Sequence, residues 1–391
     1  MNLATPPALI DWQPRTRLIF GPGVVARAGA LASELGLHDI LLVCDEGIVR
    51  AGYADTVQEI LERERLVVTR FSDFSENPDG DQAAAAARTI KEGGIKGIVA
   101  LGGGSSLDCA KGANFLQADG GQIADFRGYG KVRGPMLPMI GIPTTAGTGS
   151  DAQSYAVLSD ARTHVKMACG DPGAAFKIAL LDPVLTCSQP AAVTASSGYD
   201  ALSHAIEAYV TTARTPLSQT FAREAWRLIR GQVGRVLAEP DDLEARGAML
   251  LGSHFAGLAI EHSMLGAAHA CANPLTAQFD VVHGVAVSLM LPHVVRWNGE
   301  AVGALYGDLV DGPGAADPLA NERLAGERLA GELEQVAATC GFPLSLAEVG
   351  VGEDALPALA EAAAAQWTGG FNPRPLTRDS ALALYRTALH R

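Results

Sequence analysis

At 391 residues the chain spans two to three domains of about 150 residues each, which excludes a peptide or a single small module. Hydrophobic residues make up 48% and charged residues 19%, a composition that builds buried cores and no long disordered tails. Lysine and arginine number 30 against 43 aspartates and glutamates, and the net charge of −13 opposes binding to nucleic acid or to an anionic membrane surface.

The opening segment, MNLATPPALIDWQPRTRLIF, has no basic stretch leading into the apolar core of a leader, and no run of 18 apolar residues occurs further on. β-rich runs at 17–20, 39–43, 67–71, 97–101, 139–142 and 178–181 then alternate with amphipathic stretches at 24–35, 51–63, 80–92 and 106–116. This alternation predicts a parallel sheet with helices on both faces. After Pro190 the β-branched runs stop, and 3.6-residue periodicity predicts helices over 194–212, 216–238, 241–268, 284–298, 320–340, 354–366 and 377–389, with a loop at 311–319. The expected division is an α/β domain at 1–188 and an all-helical domain at 189–391. Six cysteines, at 44, 109, 169, 187, 271 and 340, form no CxxC pair, so a reducing cytoplasmic location is expected.

Two glycine patterns stand out. The run from Gly102 through Gly103 and Gly104 to Ser105 and Ser106 joins a strand to a helix, where bare backbone and unpaired N–H groups favour a phosphate. Its spacing does not fit a nucleotide triphosphate P-loop. Gly21, Gly23 and Ala26 fit a weaker GxGxxG/A pattern, which a plain capping turn explains equally well. Asp45 ends the second strand, where its carboxylate either accepts from adenosine ribose hydroxyls or caps the next helix.

Asp200 and His204 are four apart in a helical stretch and so leave one face together. His269 and His283 lie on two further elements separated by Pro274 and could converge on that face. Three imidazoles and a carboxylate suit Zn²⁺ or Fe²⁺; the alternative is a set of satisfied core histidines. His254, His262 and His293 are read as structural.

The motifs IFGPG near the start, GGGSSLDCAK at 102–111, PTTAGTGSD at 143–151, GYDALSHAIEAY at 198–209, HACANPL at 269–275, HGVAVSLMLPH at 283–293 and FNPRPLT at 371–377 resemble, in order and spacing, those of the iron-containing (group III) alcohol dehydrogenases. The resemblance implies a dehydroquinate synthase-like fold, an α/β NAD(P)-binding domain with a parallel sheet followed by an all-helical metal-binding domain. It implies hydride transfer between NAD(H) and a small alcohol or aldehyde. Asp45 with Glu46 at the ribose favours NAD over NADP. The implied metal ligands are Asp200, His204, His269 and His283, holding Fe²⁺ with Zn²⁺ able to replace it. Gly102, Gly103, Gly104, Ser105, Ser106 and Asp108 would hold the pyrophosphate, and Thr144, Thr145, Thr148 and Lys166 would line the nicotinamide. Asp45 would meet the ribose, and Asn77 with Pro78 would stand beside the cofactor.

Two positions depart from the pattern. Asn273 replaces a second histidine commonly found four residues after the first ligand of the HACAN segment, and Asp151 replaces a glutamate. Trp367 is expected either at the substrate cleft or in the core. The alternatives carried forward are a maleylacetate reductase-like enzyme and a dehydroquinate synthase-like lyase. A homo-oligomer such as a dimer is compatible with the motifs.

Overall fold

Short runs rich in Val, Ile and Leu become strands where a neighbouring run can pair with them, and here each pairs with another from the same half of the chain. The computed structural model describes residues 11–161, 166–311 and 318–390. Its first half runs β1 (Arg17–Phe20), α1 (Ala28–Glu34), β2 (Asp39–Cys44), α2 (Glu46–Arg50), α3 (Tyr53–Arg63), β3 (Val67–Phe71) and α4 (Gly80–Gly93). It continues through β4 (Gly97–Gly102), α5 (Gly104–Asp119), β5 (Gly128–Tyr129), β6 (Met139–Pro143), β7 (Tyr155–Ser159), β8 (Lys166–Gly170) and β9 (Ile178–Leu181).

The main sheet has the order β1-β9-β6-β4-β2-β3, with every pairing parallel. Alternate residues of β2 feed opposite cores: Leu41 and Val43 pack with α4 and α5, while Ile40 and Leu42 pack with α1 and α3. Burial on both faces is why these strands read as continuous apolar runs. From β2 the chain steps outward to β3, then crosses back to β4 and proceeds the other way. The order therefore reverses between β2 and β4, and a crevice opens there at the carboxyl ends of the strands. Asp45 and the Gly102–Gly104 turn stand at its two lips.

All six expected strands are present. The structure adds a small sheet β5-β8-β7, in which β7 and β8 are antiparallel, beyond the expected strands. The stretch at 24–35 opens as a 3-10 turn before α1, and that at 51–63 is preceded by the separate α2, with Gly52 at φ 79° between α2 and α3.

The second half contains α6 (Ala191–Val210), α7 (Pro216–Ile229), α8 (Gln232–Ala238), α9 (Leu243–Glu261), α10 (Ala267–Phe279), α11 (His283–Val310), α12 (Pro318–Thr339), α13 (Leu356–Ala364) and α14 (Arg378–Leu389). Three helix expectations are corrected. The helix over 216–238 is two, because Gly231 at φ 80° turns the chain between α7 and α8. The helix over 241–268 stops at Glu261, and His269 belongs to the next one. The helix over 284–298 continues to Val310 across a kink at Val302. Of the expected loop at 311–319, residues 312–317 lie outside the described residues and Pro318 already opens α12. The leader reading falls largely on residues 1–10, also outside them.

A buried ammonium ties α5 to the loop after β6 and to the start of β7. Lys111 on α5 is fully buried, and its Nζ donates to the carbonyls of Ser150 (2.7 Å), Gln153 (2.8 Å) and Tyr155 (2.7 Å) and to Ser150 Oγ (2.9 Å). Burial pushes its pKa down, while Asp108, Glu261 and Asp151 oppose the shift. Lys111→Met would orphan those acceptors and is expected to destabilise the fold by about 3 to 5 kcal/mol. Thermal unfolding checks this; an unchanged midpoint contradicts it.

Candidate active site

The glycine turn is shaped by what stands around it. Gly102 has φ 143°, and a Cβ there would collide with Ser106 Oγ. A Cβ on Gly103 would lie 3.1 Å from Thr145 Cγ2, and one on Gly104 2.7 Å from Thr148 Cγ2. No side chain caps α5, so its first amides are left for an external acceptor. Ser105 Oγ accepts from the backbone of Asn77, an exposed residue at φ 54° (3.3 Å).

Asp45 takes the capping role: Oδ1 accepts from the amides of Gly47 (2.8 Å) and Ile48 (3.1 Å), and Oδ2 accepts from Ser106 Oγ (3.0 Å). The weaker glycine pattern is also a cap, since Gly23 and Val25 donate to the Asp182 carboxylate at 3.0 and 3.1 Å. Those amides are spent within the fold and are not free for a pyrophosphate.

The loop after β6 connects the turn to the helical half. Thr144 donates to the Gly102 carbonyl (3.0 Å), and Thr145 and Thr148 lie over Gly103 and Gly104. At its far end, Gly149 touches the Gly257 backbone of α9, so closely that a Cβ would lie 2.6 Å from Gly257 Cα. Ser150 donates to Asp108 Oδ1 (2.6 Å), whose other oxygen accepts from the Val157 amide (3.1 Å), and burial raises the Asp108 pKa. Asp108 thus braces this loop from below. Asp151 meets His254 Nδ1 at 2.5 Å, both buried, which gives that departure a role in fastening the loop to α9.

Asp200 and His204 do leave one face of α6, on which every residue from Gly198 to Val210 is buried. His269 comes from α10 and His283 opens α11. The Nε2 atoms of His204, His269 and His283 lie 3.3, 3.3 and 3.8 Å from Asp200 Oδ1. Donor atoms of Asp200, His269 and His283 all fall within 4.8 Å of one another, and His204 stacks on His269 with ring centroids 4.9 Å apart. His283 is the most open, at 26% side-chain exposure, so the accessible side of the cluster is there.

The electrostatics follow from burial and mutual contact. Burial alone would raise the Asp200 carboxyl, but the charge of His204 and the contacts from His269 and His283 hold it well below the usual range. Burial opposes charge on His269 as well, yet the adjacent Asp200 and Glu207 carboxylates outweigh this and raise it to about 9. Burial and the nearby Lys166 ammonium push His283 down to about 3. Lys166, at the start of β8, is lowered by burial, opposed by the charges of Asp200, Asp108 and Glu76.

Asn273, one turn beyond His269, donates to Gln366 (3.2 Å). The adjacent Trp367 is 45% exposed and stacks on Tyr155 of β7 with centroids 6.3 Å apart, which removes the core alternative for this residue. A cavity of ≈ 650 Å³ between residues 11–18 and α9 contains none of the four donors. Sequence reasoning missed Glu207, whose carboxylate holds the outer nitrogen of His269 (2.6 Å). A glutamate in an otherwise apolar helical run, three residues after His204, was the available signal.

A strand-order reversal with a bare glycine turn, together with a cluster whose side chains could hold a metal ion, fits the class of oxidoreductases that bring a hydride carrier to a metal-held substrate. Residues 14–183 match the iron-containing alcohol dehydrogenase model, and residues 194–389 match that of the family's C-terminal part. The NAD-dependent methanol dehydrogenase of Bacillus methanolicus is 32% identical over 95% of this chain and 97% of its own length. The structure of a 1,3-propanediol oxidoreductase superposes with TM-score 0.93 at 30% identity, covering 98% of this chain and 100% of that one. Sulfoacetaldehyde reductase from Bifidobacterium kashiwanohense, solved in complex with NAD+, superposes with TM-score 0.88 at 30% identity over 97% and 99% of the two chains. This chain belongs to the iron-containing alcohol dehydrogenase family and is an NAD-linked oxidoreductase of alcohols and aldehydes.

Proposed function

We propose that the chain interconverts a small alcohol and its aldehyde, using NAD and one divalent ion held by Asp200, His204, His269 and His283. Fe²⁺ is the ion of first choice, and Zn²⁺ is able to replace it. The observation that carries this reading is that Asp200 Oδ1 and His269 Nε2 are buried and aimed at each other with no hydrogen-bond partner of proper geometry among the described residues. Burying such atoms without a ligand costs free energy that folding must offset elsewhere. Donors about 2.1 Å from a tetrahedral ion stand about 3.4 Å apart, close to the observed spacings of 3.3, 3.3 and 3.8 Å. The maleylacetate reductase-like alternative dispenses with the ion and leaves this donor set unexplained.

When bound, the ion supplies Lewis acidity toward an alcohol or carbonyl oxygen, and the nicotinamide accepts or supplies the hydride. The uncapped start of α5 and the bare turn at Gly102, Gly103 and Gly104, with Ser105 and Ser106, would receive the pyrophosphate. Asp108 enters this picture as a brace under the loop, since its oxygens already serve Ser150 and Val157. Thr144, Thr145, Thr148 and Lys166 would border the nicotinamide, Asn77 the phosphate side, and Asp45 the ribose. Trp367 and Tyr155 would wall the mouth of the cleft. The division at residue 188 assigns the cofactor to the first unit and the ion to the second. Six free cysteines suit a reducing compartment such as the cytoplasm.

After anaerobic loading with Fe²⁺, one ion per chain is expected in the parent and none in His269→Ala, as read by metal analysis of the folded proteins. Absence of stoichiometric metal in the parent, or full activity in the variant, contradicts the assignment.

Gly103→Val is expected to weaken NAD binding more than tenfold, because the side chain meets Thr145 and fills the space in front of the turn. Fluorescence titration measures this, and unchanged affinity means the pyrophosphate binds elsewhere.

Asp45 also sets an expected preference for NAD. Its charge about 4 Å from a 2′-phosphate costs about 4 kcal/mol at an effective dielectric of 20, reduced by solvent at this half-buried position to about 1 to 2. That corresponds to roughly tenfold discrimination. Asp45→Asn keeps the helix cap while removing the charge, so the kcat/KM ratio of NAD to NADP should fall toward one. A parent that prefers NADP, or an unchanged ratio in the variant, rules Asp45 out as the selector.

A further inference from the structure

The three histidines of the cluster are not held alike. Among the described residues, His283 Nδ1 has no hydrogen-bond partner and His204 has at most a weak contact with the Gly147 backbone, whereas His269 Nδ1 lies 2.6 Å from Glu207 Oε2. Glu207 is 3% exposed, and its second oxygen accepts from the Ala268 amide at 2.7 Å. It follows Asp200 by seven residues and His204 by three, so one face of α6 presents all three side chains. The approach is close: a Cβ on Gly266 would lie 3.0 Å from Glu207 Oε1. No residue caps α10 from its own N-terminal position; Glu207 takes the Ala268 amide, and Asn372 takes that of Ala267 at 3.2 Å.

We propose that Glu207 is the positioning residue of the metal centre, fixing His269 with a proton on Nδ1 so that Nε2, beside Asp200 Oδ1, is the nitrogen that turns to a metal. This rests on the reading that the cluster holds an ion. An ionised carboxylate only accepts, so the imidazole nitrogen facing it must carry the hydrogen and the opposite nitrogen is left as the donor to a metal. The same carboxylate pins the first turn of α10, where a negative charge is favoured by the helix dipole, so the tautomer and the placement of the ring are set by one group. Asp200 and His204 need no such device because they share a single rigid helix, whereas His269 arrives on another.

The test is Glu207→Gln. The glutamine fills the same space, and its oxygen can still accept from Ala268. Its NH₂ would then donate to Nδ1, forcing the imidazole proton onto Nε2, where it blocks coordination. The expected result is a 10- to 100-fold rise in the dissociation constant for Zn²⁺ or Co²⁺, measured by competition titration of the metal alone. Asn372→Ala is the control: it removes the neighbouring cap without touching a donor, so it should lower the thermal midpoint of the metal-free protein and leave metal affinity unchanged.

Parent-like affinity in Glu207→Gln overturns the proposal, as does an equal loss of affinity in Asn372→Ala. A parent that binds no ion sinks the metal reading itself, and Glu207's role with it. Should Glu207→Gln fail to fold, the parent decides the matter through ¹⁵N-histidine NMR of the Zn²⁺-loaded protein. His269 is expected to carry its proton on Nδ1 with Nε2 coordinated, and a proton on Nε2 overturns the assignment.

Discussion

One buried carboxylate organises the centre of this molecule. Asp200 sits in α6 where no side faces water, and an ionised group there is tolerable only with hydrogen-bonding or charged partners. His204 faces it from one turn away, while His269 and His283 must be brought alongside by α10 and α11, and the Asp200 oxygen between them is left without a hydrogen bond. Those helices can come near enough only where glycines replace bulk. Gly284, beside His283, sits so tightly on the Ser196 carbonyl that no Cβ fits, and Gly266 makes room for Glu207 ahead of His269. The packing of three helices and the placement of four donors are one constraint.

The loop after β6 carries that constraint to the cofactor crevice. Its threonines cover the glycine turn, its backbone rests on α9 at Gly149 and Gly257, and its last residues are anchored by Asp108, Lys111 and His254. The anchors come from both halves of the chain: Lys111 and Asp108 from α5, His254 from α9. The spacing between the glycine turn and the cluster is thereby governed by buried hydrogen bonds.

Much of this was legible in the chain. The six parallel strands announced themselves because burial on both faces demands unbroken apolar runs, and Asp200 with His204 did so because helical spacing puts them on one face. The small sheet β5-β8-β7 did not, since YAVLS and KMACG are short and mixed and become strands only by pairing with each other. The breaks at Gly231 and after Glu261 were hidden because the apolar period resumes beyond each. Glu207 acquires its role only once α10 is placed against α6, and Asp151 with His254 are 103 positions apart. Asp45 shows the opposite limit: one position served two readings, and the fold selected the cap while leaving the ribose role to experiment.

The central claim is that four side chains from three helices hold a single ion in front of the cofactor crevice. Anomalous diffraction at the iron edge, from crystals grown anaerobically with Fe²⁺, addresses it most directly. The account predicts one peak enclosed by Asp200, His204, His269 and His283, with the His269 ring still seated on Glu207. A peak elsewhere in the molecule, or no peak between these residues, would contradict it.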